Sequence, residues 1–120
     1  MRGISAYKSV KKQSASPEHL LVMLYERAIH DQREAIAHLE QGDLKEALPF
    51  LQRARQIFVE LTSALDPEEA PELTSNLKRL YVWCIRELIR AGREGSAEPI
   101  RATLETTIDL HSAWVEAVNT

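Results

Sequence analysis

Apolar residues recur along this chain at three- and four-residue spacing in four long segments, and the spacing predicts four helices. The first opens with "SPEHLLVMLYERA", residues 16–28. Ser16 suits an N-cap, Pro17 the first helical position, and Glu18 complements the helix dipole. The periodic pattern runs to Gln41 and stops at Gly42, a natural C-terminal capping residue. At 100° per residue, Leu21, Leu24, Tyr25, Ala28, Ala35 and Leu39 share a central stripe. Val22, Ile29 and Ile36 form a second row beside it. With Leu20 the apolar arc covers roughly 200°, about twice what a core-facing helix needs. Met23 falls outside even that arc.

The second segment starts at Asp43 and Glu46, close to a capping box, and runs over 44–65. Phe50, Leu51, Ala54, Ile57, Phe58, Leu61 and Leu65 make its face, and Leu44, Leu48 and Val59 widen it. Pro49, about one and a half turns in, is expected to kink the helix or delay its regular start. "DPEEAP" at 66–71 reads as a turn, with Pro71 opening a third helix to about residue 91, ahead of Gly92. Leu73, Leu77, Leu80, Tyr81, Cys84, Ile85 and Leu88 make that face, and Val82 and Ile89 widen it. Trp83 lies in the polar arc among Arg79, Arg86, Glu87 and Arg90. Ser96 is expected to cap a fourth helix over 97–118, with Pro99 tolerated in its first turn. Its face is narrower: Ile100, Leu104, Ile108, Trp114, Val115 and Val118.

No strand-like alternation survives over a useful length. The connectors are a few residues each, so neighbouring helices must run antiparallel. The expectation is an all-α, antiparallel up-down-up-down four-helix bundle over 16–120, preceded by a flexible N-terminal arm over 1–15. A bundle of this kind uses perhaps 100–140° of each helix, which leaves apolar surface over. Each side chain of that kind is worth about 1.5–3 kcal/mol when buried, so the surplus points to association.

Composition narrows the function. The net charge of −3 argues against general nucleic-acid affinity. The one cysteine, Cys84, lies on the core face and cannot form an internal disulfide. The chain has no signal-peptide pattern and no run of 18 apolar residues, so the expectation is a cytoplasmic protein without membrane insertion. No Glu-x-x-His pair, phosphate loop, nucleophile elbow or zinc spacing occurs. The reading is therefore no enzyme, no cofactor and no metal. His30 and His38 on the polar side of the first helix leave a histidine phosphotransfer module as a remote alternative. Another helical adaptor, or a bundle that buries its surplus surface against itself, is a nearer one.

The order of motifs carries a resemblance. "YKSVKKQSASPEHLLVMLYERAI" is similar to the start of the flagellin export chaperones, the FliS family. Tyr7, Ser16, Pro17, Leu20, Met23, Leu24, Tyr25 and Ala28 fall in register with that family's pattern. "LTSALD" at 61–66 matches the end of its second helix. "NLKRLYVWCIRELIRA" resembles its third, through Asn76, Leu77, Leu80, Tyr81, Trp83, Leu88 and Ala91. Trp114 occupies the family's late tryptophan. Ala70-Pro71 stands where the family has a glycine pair, Val82 replaces a common acidic residue, and Gly92 replaces a common asparagine.

The resemblance implies a chaperone that binds the C-terminal segment of flagellin about 1:1. That segment is disordered when free and wraps the bundle as helices in hydrophobic grooves. Binding would prevent premature polymerisation and deliver the subunit to the flagellar export apparatus. The arm, with Ile4, Tyr7 and Val10 about every three residues, would cover part of the groove until flagellin displaces it. Candidate contact residues are Tyr7 and Val10 in the arm and Met23 and Tyr25 in the first helix. In the third they are Leu77, Tyr81, Trp83, Ile85 and Leu88. Tyr25, Leu77, Tyr81 and Leu88 are equally candidates for the core.

Overall fold

The computed structural model describes Ala6, Tyr7 and residues 17–119. Its helices are α1 (Pro17–Glu40), α2 (Leu44–Ser63), α3 (Pro71–Glu94) and α4 (Glu98–Val118). α1 packs on α2, α2 on α3, α3 on α4 and α4 back on α1, which closes the ring of an antiparallel four-helix bundle. The molecule is 43 Å long and 24 × 22 Å across, and a 24-residue helix spans about 36 Å of that length.

Local chemistry sets the boundaries. Gly42 ends α1 with φ +75°, which a side chain would strain. Asp43 then accepts the Glu46 N–H at 3.2 Å and caps α2. Pro49 does not delay α2: the helix begins at Leu44 and continues past it to Ser63. Pro49 and Lys45 both stand on the exposed side, so the carbonyl that loses its donor can turn to water. α3 does not stop before Gly92. It continues to Glu94 and terminates at Gly95, whose φ of +64° makes the left-handed cap. Gly92 lies inside α3, where a Cβ would make only ordinary contact with Leu51 Cδ1 at 3.5 Å and Leu48 Cδ2 at 3.7 Å. Pro71 opens α3, and the Ser96 hydroxyl accepts the Glu98 N–H at 3.2 Å at the start of α4. Ser16, the expected cap of α1, lies outside the described residues.

The core is apolar and aromatic at the end where α1 begins and α2 finishes. Tyr25, Phe58, Leu61, Tyr81 and Trp114 meet there, all buried. Farther along, the seam between α1 and α4 is polar. Gln32, fully buried, donates to Thr107 Oγ1 at 3.0 Å and to the Ala28 carbonyl at 3.1 Å, and its amide oxygen accepts from Thr103 Oγ1 at 2.7 Å. A buried amide is tolerated only when satisfied in this way. The seam therefore admits few other registers of α4 on α1.

Candidate partner-binding surface

The aromatic end of the bundle is closed by a residue from outside it. Tyr7 is buried, with its ring edge-on to Trp114 at a centroid distance of 6.1 Å. Tyr25 lies 6.1 Å from the same indole, and Phe58 lies 6.0 Å from Tyr81. The Tyr7 hydroxyl is 3.1 Å from the Leu61 carbonyl and 2.9 Å from the Tyr81 hydroxyl, and Tyr81 in turn meets the Tyr25 hydroxyl. Three protons serve three links, and one chain satisfies them all. Tyr25 donates to Tyr81, Tyr81 to Tyr7, and Tyr7 to the Leu61 carbonyl. One residue away, the Ala6 carbonyl accepts the Asp66 N–H at 2.7 Å. These contacts hold the Ala6–Tyr7 stretch against both the core and the α2–α3 turn.

Burial governs the titration here. It pushes the Tyr25 hydroxyl up to about 12 and moves Tyr7 and Tyr81 upward as well, with the charge a neighbouring tyrosinate would carry adding to both. These shifts favour the neutral hydroxyls, so the cluster is a set of neutral hydrogen bonds. Burial also lifts Cys84 to about 12, which favours the neutral thiol.

Beneath Tyr7, Leu20, Leu21, Leu24, Leu61 and Ala64 line a small apolar pocket. It shares Leu24 and Glu60 with an open groove of about 620 Å³ between α1 and α2. Met23, Leu24 and Ile57 give that groove an apolar stretch, and Arg27, His30, Asp31 and Arg53 give it polar walls. Farther along, Arg53 lies over the Phe50 ring at 4.8 Å and reaches Asp31 at 3.6 Å, while His38 stacks on Phe50 at 5.6 Å. The lane from Tyr7 to Arg53 is thus continuous, apolar at one end and charged at the other.

The sequence candidates divide against this geometry. Met23 is half exposed and sits in the lane, as its place outside the apolar arc required. Tyr25, Leu77, Tyr81 and Leu88 are buried core residues, the place the sequence had offered them beside a contact role. They fall on the centre of each helix's apolar face, where neighbouring helices cover them. Trp83 and Ile85 are half-buried on α3, and Trp83 leans on the core despite its polar neighbours. A ring of that size reaches past its own arc. Val10 lies outside the described residues. Sequence reasoning missed Asp31, whose burial beside the lane raises its carboxyl above the usual range, with the Arg53 guanidinium opposing. It also missed Gln32. Both sit beside apolar rows, and nothing but that adjacency could have signalled them. Among the described residues no group of His, Cys, Asp and Glu side chains could hold a metal, and no helix is long and apolar enough to cross a membrane.

Comparison with known proteins places this arrangement. The family model "Flagellar protein FliS" matches residues 1–120. The flagellar secretion chaperone FliS of Salmonella typhimurium is 33% identical over 117 residues, covering 93% of this chain and 87% of that protein. That of Campylobacter jejuni is 30% identical over 115 residues, covering 96% and 90%. A solved structure described as a flagellar chaperone from bacteria superposes with a TM-score of 0.80 at 24% identity, over 88% of this chain and 86% of that one, and so shares the fold.

Proposed function

Because the chain belongs to the FliS family of flagellar proteins, we propose that it is a cytoplasmic flagellin export chaperone acting by stoichiometric binding, without catalysis. Its partner is the C-terminal segment of flagellin, taken up about 1:1 as helices in apolar grooves, held back from polymerisation and handed to the export apparatus. The observation that carries this reading is Tyr7. A residue of the N-terminal segment, itself buried, forms one wall of an apolar pocket that adjoins the α1–α2 lane through Leu24 and Glu60. Withdrawing Tyr7 leaves the helices in place and bares Leu20, Leu21, Leu24 and Leu61 to an incoming amphipathic segment. Met23 then serves as a contact on the rim, and its flexible thioether suits a partner that folds as it binds. Tyr25 and Tyr81 enter contact only after Tyr7 leaves, when the Tyr81 hydroxyl loses Tyr7 as its acceptor and donates to the newcomer, while Tyr25 keeps its bond to Tyr81.

Calorimetry of the full chain against the C-terminal segment of flagellin from the same cell, at three temperatures, tests the reading. The expected result is saturation near 1:1 with a negative heat-capacity change, the mark of apolar burial coupled to folding. Removing residues 1–15 is expected to tighten binding, since the competing arm is gone. No heat at any temperature from a folded chain would overturn the reading. Unchanged affinity after arm removal would overturn the role given to Tyr7.

A further inference from the structure

Asp31 is the one buried carboxylate among the described residues, and it lines the α1–α2 lane with its side chain 7% exposed. The other carboxylates of the lane, Glu26 and Glu60, stand exposed, where water serves them. A carboxylate as enclosed as Asp31 needs donors in place of the water it has lost. Arg53 supplies charge but not a hydrogen bond: its Nε stands 3.6 Å from Asp31 Oδ1, and its guanidinium lies over the Phe50 ring at 4.8 Å. Burial still outweighs Arg53, since the Asp31 carboxyl is raised above its ordinary range. The folded chain thus keeps an undercompensated acceptor on the wall of an open groove.

Its surroundings say what would complete it. Arg27, His30 and Arg53 line the same groove and act on Asp31 electrostatically, so a lysine or arginine arriving there would meet like charge. A neutral donor meets none. An apolar side chain laid over Asp31 would remove its remaining water and leave the carboxylate unpaired, a loss larger than the apolar contact returns. Position adds a register. Asp31 lies seven residues, two turns and about 10 Å, beyond Leu24, which belongs both to the pocket walled by Tyr7 and to the lane. An apolar anchor site and a polar acceptor therefore stand at a fixed separation along one helix.

From these observations we infer that Asp31 is the specificity-determining residue of the lane. It accepts a hydrogen bond from a neutral donor of the bound segment, a hydroxyl or carboxamide placed about two turns from the apolar side chain that enters the pocket at Tyr7. The inference rests on the flagellin reading and adds a requirement to it. A segment slid along the lane by one turn would set an apolar residue against the carboxylate, so Asp31 selects the register as well as the sequence.

Calorimetry of the full chain and of its Asp31→Leu and Asp31→Asn variants against the C-terminal segment of flagellin from the same cell tests this. Asp31→Leu adds apolar area to the lane, so a lane with no polar requirement would bind more tightly. The variant is expected instead to bind roughly tenfold more weakly, while urea unfolding shows it at least as stable as the parent. Asp31→Asn, which keeps an acceptor oxygen, is expected to lose less. Each serine, threonine, asparagine and glutamine of the segment is then replaced by alanine. One replacement is expected to weaken binding to the parent and to leave binding to the Asp31→Leu variant almost unchanged. Equal or tighter binding by Asp31→Leu would overturn the inference and leave the flagellin reading in force. So would coupling of Asp31 to a lysine or arginine of the segment, or to no side chain of it. Absence of binding by the parent chain would overturn both.

Discussion

Two buried polar networks stand in one bundle, and they are closed by different means. In the α1–α4 seam every partner is on a helix: Gln32, Thr103 and Thr107 satisfy one another, and the two hydroxyls also reach the Ile100 and Thr103 carbonyls. At the aromatic end the chain of hydroxyls is completed by Tyr7, 54 residues from Leu61 and 74 from Tyr81 in sequence. The seam can open only if α4 leaves α1. Tyr7, which closes the aromatic end, belongs to none of the four helices. One network ties helix to helix, and the other ties the N-terminal segment to the bundle, which is the closure that the proposed function has a competitor replace.

The sharpest way to break this contrast is Gln32→Ala. It empties a fully buried site and is expected to cost about 2–4 kcal/mol in urea unfolding. Binding of the flagellin segment by the folded fraction should not change. A loss of affinity matching the loss of stability would show that the seam and the lane are one unit. Tyr81→Phe is expected to cost less, about 1–3 kcal/mol, because it removes the hydroxyl between Tyr25 and Tyr7 and leaves the others short of partners. Unlike the seam variant, it should loosen Tyr7 and so raise segment affinity, which calorimetry would read.

The smallest effect tests the lane's charged end. Burial raises the Asp31 carboxyl, so the folded chain binds that proton more readily than the unfolded one, whose value is near 3.8. The ionised carboxylate is therefore a cost at neutral pH, partly offset by Arg53, and the cost fades as pH falls through the raised value toward the unfolded one. Asp31→Asn should be slightly more stable than the parent at about pH 7, and the gain should shrink by about pH 4, as thermal unfolding at the two pH values would record. A gain that grows with acidity would show that the Arg53 contact outweighs desolvation.

Much of the bundle was legible because helices announce themselves by period. Leu21, Tyr25, Leu51, Phe58, Leu77, Tyr81, Leu88 and Trp114 sit at the centres of their apolar arcs, and all are buried. Capping chemistry at Gly42 and Asp43 is equally local. The contact residues were less legible. Tyr25, Leu77, Tyr81 and Leu88 carry both core position and family register, and period alone does not separate a core tyrosine from one waiting at a covered site. Trp83 is half-buried and leans on the core from the polar arc, a position that arc counting does not show because it ignores how far an indole reaches. Gly92 read as the stop of the third helix, and only the left-handed φ of Gly95 showed where α3 ends.

The sequence by itself determined four amphipathic helices, their order, their antiparallel run and a surplus of apolar surface, because each follows from spacing within some twenty residues. Only the tertiary structure decided which surplus is buried and which lane stays open. That outcome depends on which helices flank one another and on a tyrosine arriving from far along the chain. Tyr7 meeting Leu61, Tyr81 and Trp114, and Gln32 meeting Thr103 and Thr107, are contacts between segments more than fifty residues apart. No local pattern encodes such pairs, since the energy that selects them exists only once the helices have packed.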